Sequence, residues 1–244
     1  WRQLMGKGLV GTVDDYTYTG VAPTHPFLLD FLAIEFIKGG YSVKSLIRRI
    51  VLSRVYQAST DHHETNYAID PDNLYYWRMD RRRLELEPLR DAMIAVTGDL
   101  DTRHPPIMLG QFENQVPNEP VNWPKTINLS YRTVYLPVLR NALPAMYHQF
   151  DFPPPDQVIG ARSITTVPTQ ALFLMNSKFV ASCSIAAAKQ LVRNTKDPEM
   201  RIANVYLDTI GRLPTFGESE RILKYIAGQS TQGVSELEIW EDIY

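Results

Sequence analysis

Cysteine is nearly missing from this chain: Cys183 is the single one in 244 residues. One thiol excludes an internal disulfide, a thiolate zinc cluster and the paired-cysteine attachment of a c-type haem. No apolar run reaches the length of about 20 residues that a membrane-spanning helix needs, and the first residues lack the charged and apolar sections of a signal peptide. An excess of either charge is also lacking. Lys and Arg number 25 against 27 Asp and Glu, a net charge of −2, so no global field favours nucleic acid or an anionic membrane, and any polyanion site has to be a local patch. No repeat recurs at a fixed period.

What the chain does have is 44% hydrophobic residues, enough to bury a core without a metal or disulfide staple. Helical spacing dominates their arrangement. In "APTHPFLLDFLAIEFIKGG", Thr24 is placed to cap a helix over about 25–38, Pro26 suits its first turn and Gly39 its end. Its apolar residues run round more than one stripe, which predicts a central helix with neighbours on several sides. Ser42 opens a second helix in which Val43, Leu46, Ile47 and Ile50 recur at three- and four-residue steps. Lys44, Arg48, Arg49 and Arg54 fall mainly on its other face, so the pair reads as a hairpin with a basic outer edge.

A third helix is predicted over about 86–97. Residues 99–130 then read as a long proline-rich loop, and "YRTVYLPVL" (131–139) as an edge strand, since Pro137 removes a ladder donor. In "ARSITTVPTQALFLMNSKFV", Thr165 or Thr166 is expected to cap a helix with Pro168 in its first turn, and Ala171, Leu172, Leu174 and Met175 to begin a buried face. Asn176 and Ser177 are expected to break and recap the chain before a stripe that runs to about Val192. Asp197, Thr215 and Ser235 open three more helices. The expected fold is therefore mainly α, a multi-helix orthogonal bundle with one or two short edge strands. It reads as a single domain over 1–244, with sub-lobes 1–98 and 131–244 joined by the loop 99–130. Trp1 and Tyr244 both fall inside ongoing elements, so the chain is expected to be a segment truncated at both ends.

Several phrases, in order, carry a likeness: "GKGLVGTVDDY", "PTHPFLLDFLAIEFIKGGYSVKSLIRRIVLSRVYQAS", "DPDNLYYWRMDRRRLELEPLRDAM", "RTVYLPVLRNALP", "FDFPPPD" and "LDTIGRLPTFGE". The chain resembles the planctomycete-specific domain of unknown function numbered 1553. The resemblance spans almost the whole chain and brings no assigned reaction or catalytic residue. It implies the C-terminal part of a larger exported protein, periplasmic, cell-surface or secreted, whose upstream region carries a planctomycete-type cytochrome c domain. Covalent haem would then belong to that upstream domain, with no cofactor in this segment.

The candidate site residues are few. Arg78, Arg81, Arg82 and Arg83 offer a fork of guanidiniums for sulfate, carboxylate or phosphate. The plainer reading is local pairing of Arg81 with Glu85 and of Arg83 with Glu87, where the segment is helical. Asp14 and Asp15 suit either an acid–base pair or a turn, and Arg132 and Arg140 stand beside apolar segments that could converge on them. His62, His63 and Glu64 lack the spacing of metal ligands, so no metal is expected. Cys183 lies on an apolar stripe and reads as an inert core thiol. The expected function is a non-catalytic interaction module contacting other domains of its parent protein or an anionic polysaccharide, with no nucleic acid and no membrane span. The alternative is a polysaccharide-acting or redox-coupled enzyme.

Overall fold

The computed structural model describes residues 1–15, 17–105, 130–138 and 143–244. The chain is mainly helical, as its periodicity predicts, and divides into two compact units. The first comprises 1–83 with 158–162; the second comprises 84–157 and 163–244.

The first unit holds α1 (Arg2–Met5), α2 (Pro26–Lys38), α3 (Val43–Val51) and α4 (Glu64–Ile69). α2 and α3 form the predicted hairpin. Gly40 and Tyr41 turn it in the left-handed region, with φ of 65° and 59°, and the Ser42 hydroxyl caps α3 by accepting from the Ser45 N–H. Ion pairing helps to close it: Arg49 meets Glu35 at 2.7 Å. Two expectations for α2 fail. Thr24 is not its cap, because the Thr24 hydroxyl donates to the Leu9 carbonyl instead and His25 takes the cap position without a side-chain bond. Nor is α2 central: among the described residues its main partner is α3, and none of its residues is buried. The buried apolar side chains of this unit are few, Met5, Leu9 and Ile50 among them.

The second unit contains α5 (Leu86–Val96), α6 (Ala145–Gln149), α7 (Pro168–Asn176), α8 (Lys178–Asn194), α9 (Pro198–Thr209), α10 (Phe216–Thr231) and α11 (Glu236–Ile243). α8 is the hub, in contact with α5, α7, α9 and α11. One core cluster gathers Ala188 and Leu191 of α8, Ile202 and Val205 of α9 and Trp240 of α11; the other gathers Leu86, Met146, Tyr147 and Phe150. Asp197, Thr215 and Ser235 cap α9, α10 and α11 as predicted, the last two as full capping boxes with Glu218 and Glu238. Among the described residues no single helix is long and apolar enough to cross a membrane; α7 and α8 qualify only jointly, across a 52° bend.

Two further expectations are corrected here. Residues 131–138 form no strand: Thr133–Tyr135 is a 3-10 turn, and the pairing is a single bridge between Asp101 and Tyr131. The backbone turns there because the Asp91 carboxylate captures both the N–H and the hydroxyl of Thr133, at 2.7 and 2.6 Å, leaving no ladder to extend. α7 starts after Val167, with Pro168 in its first turn as expected, but neither threonine caps it. Thr165 bonds to Asp151, and the Gln170 side chain reaches back to the Val167 N–H. Its inward face is Gln170, Phe173 and Leu174, whereas Ala171, Leu172 and Met175 are exposed. Most of the proline-rich loop, 106–129, lies outside the described residues.

Candidate functional site

The arginine-rich segment follows a rigid loop built on two buried polar residues. Asp70 ends α4; its carboxylate accepts from the N–H groups of Leu74 and Tyr75 at 2.9 and 2.8 Å, and its carbonyl accepts from the Trp77 indole at 2.9 Å. Asn73, at φ 53°, tolerates the left-handed region better than most side chains. Its amide donates to the Arg78 carbonyl and the Asp80 carboxylate at 2.9 and 3.1 Å. These bonds fix Trp77 beside Arg78, whose guanidinium lies 5.0 Å from the centre of the indole. Arg82 donates to the Gln3 carbonyl at 2.7 Å, while Arg81 and Arg83 are exposed. Residues 81–85 are not helical, so no helix sets the four-residue couples of Arg81 with Glu85 and Arg83 with Glu87. Arg78 is thus held against a ring and Arg82 against a main-chain carbonyl.

The remaining described candidates divide between the two units. Asp15 is taken up by its own turn, accepting from Thr17 N–H, Thr17 Oγ1 and Thr19 Oγ1 at 2.9, 2.6 and 2.6 Å. These bonds, led by the Thr17 hydroxyl, hold its carboxyl below the usual range. Asp14 lies in the first unit over Gly160, where a Cβ would overlap its carboxylate. Arg132 belongs to the second unit and sits 3.6 Å from Asp91. Arg140 lies outside the described residues.

Arg132 borders a polar node that sequence patterns do not reveal. Arg90, completely buried on α5, donates to the Tyr131 carbonyl and the Thr133 hydroxyl, both at 3.1 Å. It stands 3.9 Å from Asp91 and 5.9 Å from the centre of the Phe179 ring. Burial pulls the Arg90 guanidinium below its ordinary pKa, against the opposing charges of Tyr147 and Asp91. Burial raises the Cys183 thiol, which is half-buried rather than fully enclosed, and the Arg90 charge opposes that rise. The node ties residues 131–133 to α5, which is a structural task.

In the first unit, a hollow of about 400 Å³ is walled by Gly6, Gly8, Gly11, Arg2, Lys7 and Asn73 among others. Its two cations are already engaged, Arg2 with the Gly160 carbonyl and Lys7 with the Asp72 carbonyl. Among the described residues, no three His, Cys, Asp or Glu side chains gather as a metal site. His62 meets Glu64 at 3.0 Å on the surface.

The most unusual feature is apolar. Phe27, Phe31, Ile34, Ile37 and Tyr41 recur at helical steps along α2 and its turn, with exposures of 88, 49, 50, 56 and 67%. Val43 and Ile47 of α3 are exposed as well, adjoining Lys44 and Arg48 on the same helix. Isolated apolar residues on a surface are ordinary; here they fall at helical spacing and form one exposed apolar face. The all-round apolarity of α2 was its signal in the sequence, and it reads equally well as centrality until the neighbours are known.

Comparison with curated proteins and with solved structures returned no match. Comparison with protein families matches residues 1–226 to PSD1, described as a protein of unknown function (DUF1553). With that match over nearly its whole length, the chain belongs to the PSD1 (DUF1553) family.

Proposed function

We infer that this chain is a non-catalytic docking module whose α2–α3 hairpin binds a neighbouring protein domain. The observation that carries this is the exposed stripe Phe27–Phe31–Ile34–Ile37–Tyr41, which leaves water only when another apolar surface covers it. The family resemblance to larger exported proteins supports a domain of the same parent polypeptide as the partner, outside the cytoplasm. Lys44 and Arg48 beside the exposed Val43 and Ile47 supply a polar rim of the kind that fixes orientation. An enzyme built on Asp14 and Asp15 receives less support, because the Asp15 carboxylate is held by three donors in its own turn.

Hydrogen exchange tests the reading. Amides of residues 27–38 should exchange fast in the isolated chain and slowly in the full-length polypeptide, and Phe31→Asp with Ile34→Asp should restore fast exchange there. Equal rates in the two settings would remove the docking role.

A further inference from the structure

The second unit contains a cleft of two adjoining chambers, with Val96, Ala187, Asp208 and Tyr244 lining both. The larger chamber, about 400 Å³, is walled by apolar side chains, including Leu89, Met93, Leu174, Met175 and Val180, with Cys183 beside them. The smaller, about 290 Å³, is polar, with Gln190, Asn194, Thr195 and Asn204 in its wall. Between them the Tyr244 hydroxyl donates to Asp208 Oδ2 at 3.1 Å. Their combined size falls within the range of about 300–1,000 Å³ typical of small-molecule sites.

The lining also specifies charge. Among the described residues neither chamber is lined by a lysine, arginine or histidine, and Asp208 is the one acidic side chain in either. An anionic head group in the polar chamber would meet the Asp208 charge with no cation in the lining beside it, and like charges brought together are costly. A wholly apolar ligand would leave the amides of Gln190, Asn194 and Asn204 facing a group that cannot bond to them. Asp208 accepts from Tyr244 and the Asn204 amide donates to the Thr195 hydroxyl at 3.2 Å, so the polar wall sets one hydrogen-bonded carboxylate among neutral amides and hydroxyls.

We propose that this cleft binds an uncharged amphiphile, its aliphatic body in the Met93–Leu174–Cys183 chamber and its hydroxyl or amide head against Gln190, Asn194 and Asn204. The site is separate from the α2–α3 hairpin and stands whether or not that hairpin docks.

Cys183, as the single cysteine, reports on the cleft without any engineering. Its alkylation by iodoacetamide is measured with 1-decanol, decanoate or decylammonium present below micellar concentration. Decanol should slow alkylation saturably, and decanoate should need about tenfold more ligand or fail, because it places a second anion beside Asp208. Ala92, exposed at the rim of the apolar chamber, is the site for Ala92→Trp, which should abolish protection while the circular dichroism is retained. No saturable protection by decanol, or decanoate protecting as well as decanol, would overturn the proposal. So would decylammonium binding more tightly than decanol, since the carboxylate rather than the amides would then be reading the head group. The headgroup comparison uses the native chain and holds even if the tryptophan variant does not fold.

Discussion

Arg201 of α9 places its Nη1 2.5 Å from Glu236 Oε1 at the start of α11. The same guanidinium donates to the Thr195 and Val192 carbonyls at 2.6 and 3.3 Å and lies 5.7 Å from the centre of the Trp240 ring. One buried cation thus satisfies carbonyls left over at the end of α8 and joins three helices.

Its removal should be costly in a way that its partner's is not. Arg201→Ala deletes the carbonyl bonds and the packing on Trp240, and should destabilise the second unit by about 2–4 kcal/mol. Glu236 is mostly exposed, and Glu236→Gln should cost about 1 kcal/mol or less. Urea melts followed by circular dichroism compare the two; equal losses would show that the ion pair, not the carbonyl bonds, dominates.

Asp91 offers a second contrast. Asp91→Ala strips both bonds from Thr133 and takes the nearest carboxylate from buried Arg90, and should cost about 2–4 kcal/mol. Arg132→Ala removes only the half-exposed 3.6 Å contact and should stay within about 1 kcal/mol. Thermal melts check the ranking.

Within the hairpin, burial predicts opposite outcomes for two isoleucines. Ile50 is buried and Ile34 half-exposed, so Ile50→Ala should cost about 2–5 kcal/mol and Ile34→Ala within about 0.5 kcal/mol in the isolated chain. A large loss from Ile34→Ala would mean that the stripe is already covered within this chain.

Two surface carboxylates set an acid-side pH dependence. Arg212 first, then the Thr215 N–H, holds Glu218 well below its ordinary 4.5, and Arg103 lowers Asp101 from 3.8 to about 2. A depressed folded pKa means that the unfolded chain takes up the proton first. The contribution is therefore complete above the ordinary carboxylate range and is lost as the pH falls towards the folded values. Carboxyl NMR titration should place Asp101 near 2, and Arg103→Ala should return it towards 3.8. An unchanged midpoint in that variant would sink the assignment.

Much of this was legible in the sequence because it is local. Asp197, Thr215 and Ser235 mark helix starts through hydroxyls and carboxylates that reach N–H groups two or three residues away, and Gly98 and Gly211, at φ 76° and 74°, follow helix ends. The failures were partner choices. Thr24 could cap α2 or bond to Leu9, and Thr165 could cap α7 or bond to Asp151; the sequence shows the donors but not which acceptor lies nearby. The strand at 131–138 failed for the same reason, since β-branched residues favour extension only when a neighbouring strand completes the ladder.

Composition and periodicity by themselves determined a mainly helical chain, most of its helix boundaries and the α2–α3 hairpin; the family was legible through the likeness of whole phrases, not through pattern, and the match over residues 1–226 shows it. Only the tertiary structure decided that α2 is exposed rather than central, that Arg90 and Arg201 are buried, that Asp15 is held by its own turn, and that Asp208 and Tyr244 meet across a cleft. Helix signals act over a few residues and are written in order along the chain. Burial and long-range hydrogen bonds depend on which surfaces meet, and spacing along one chain does not encode that.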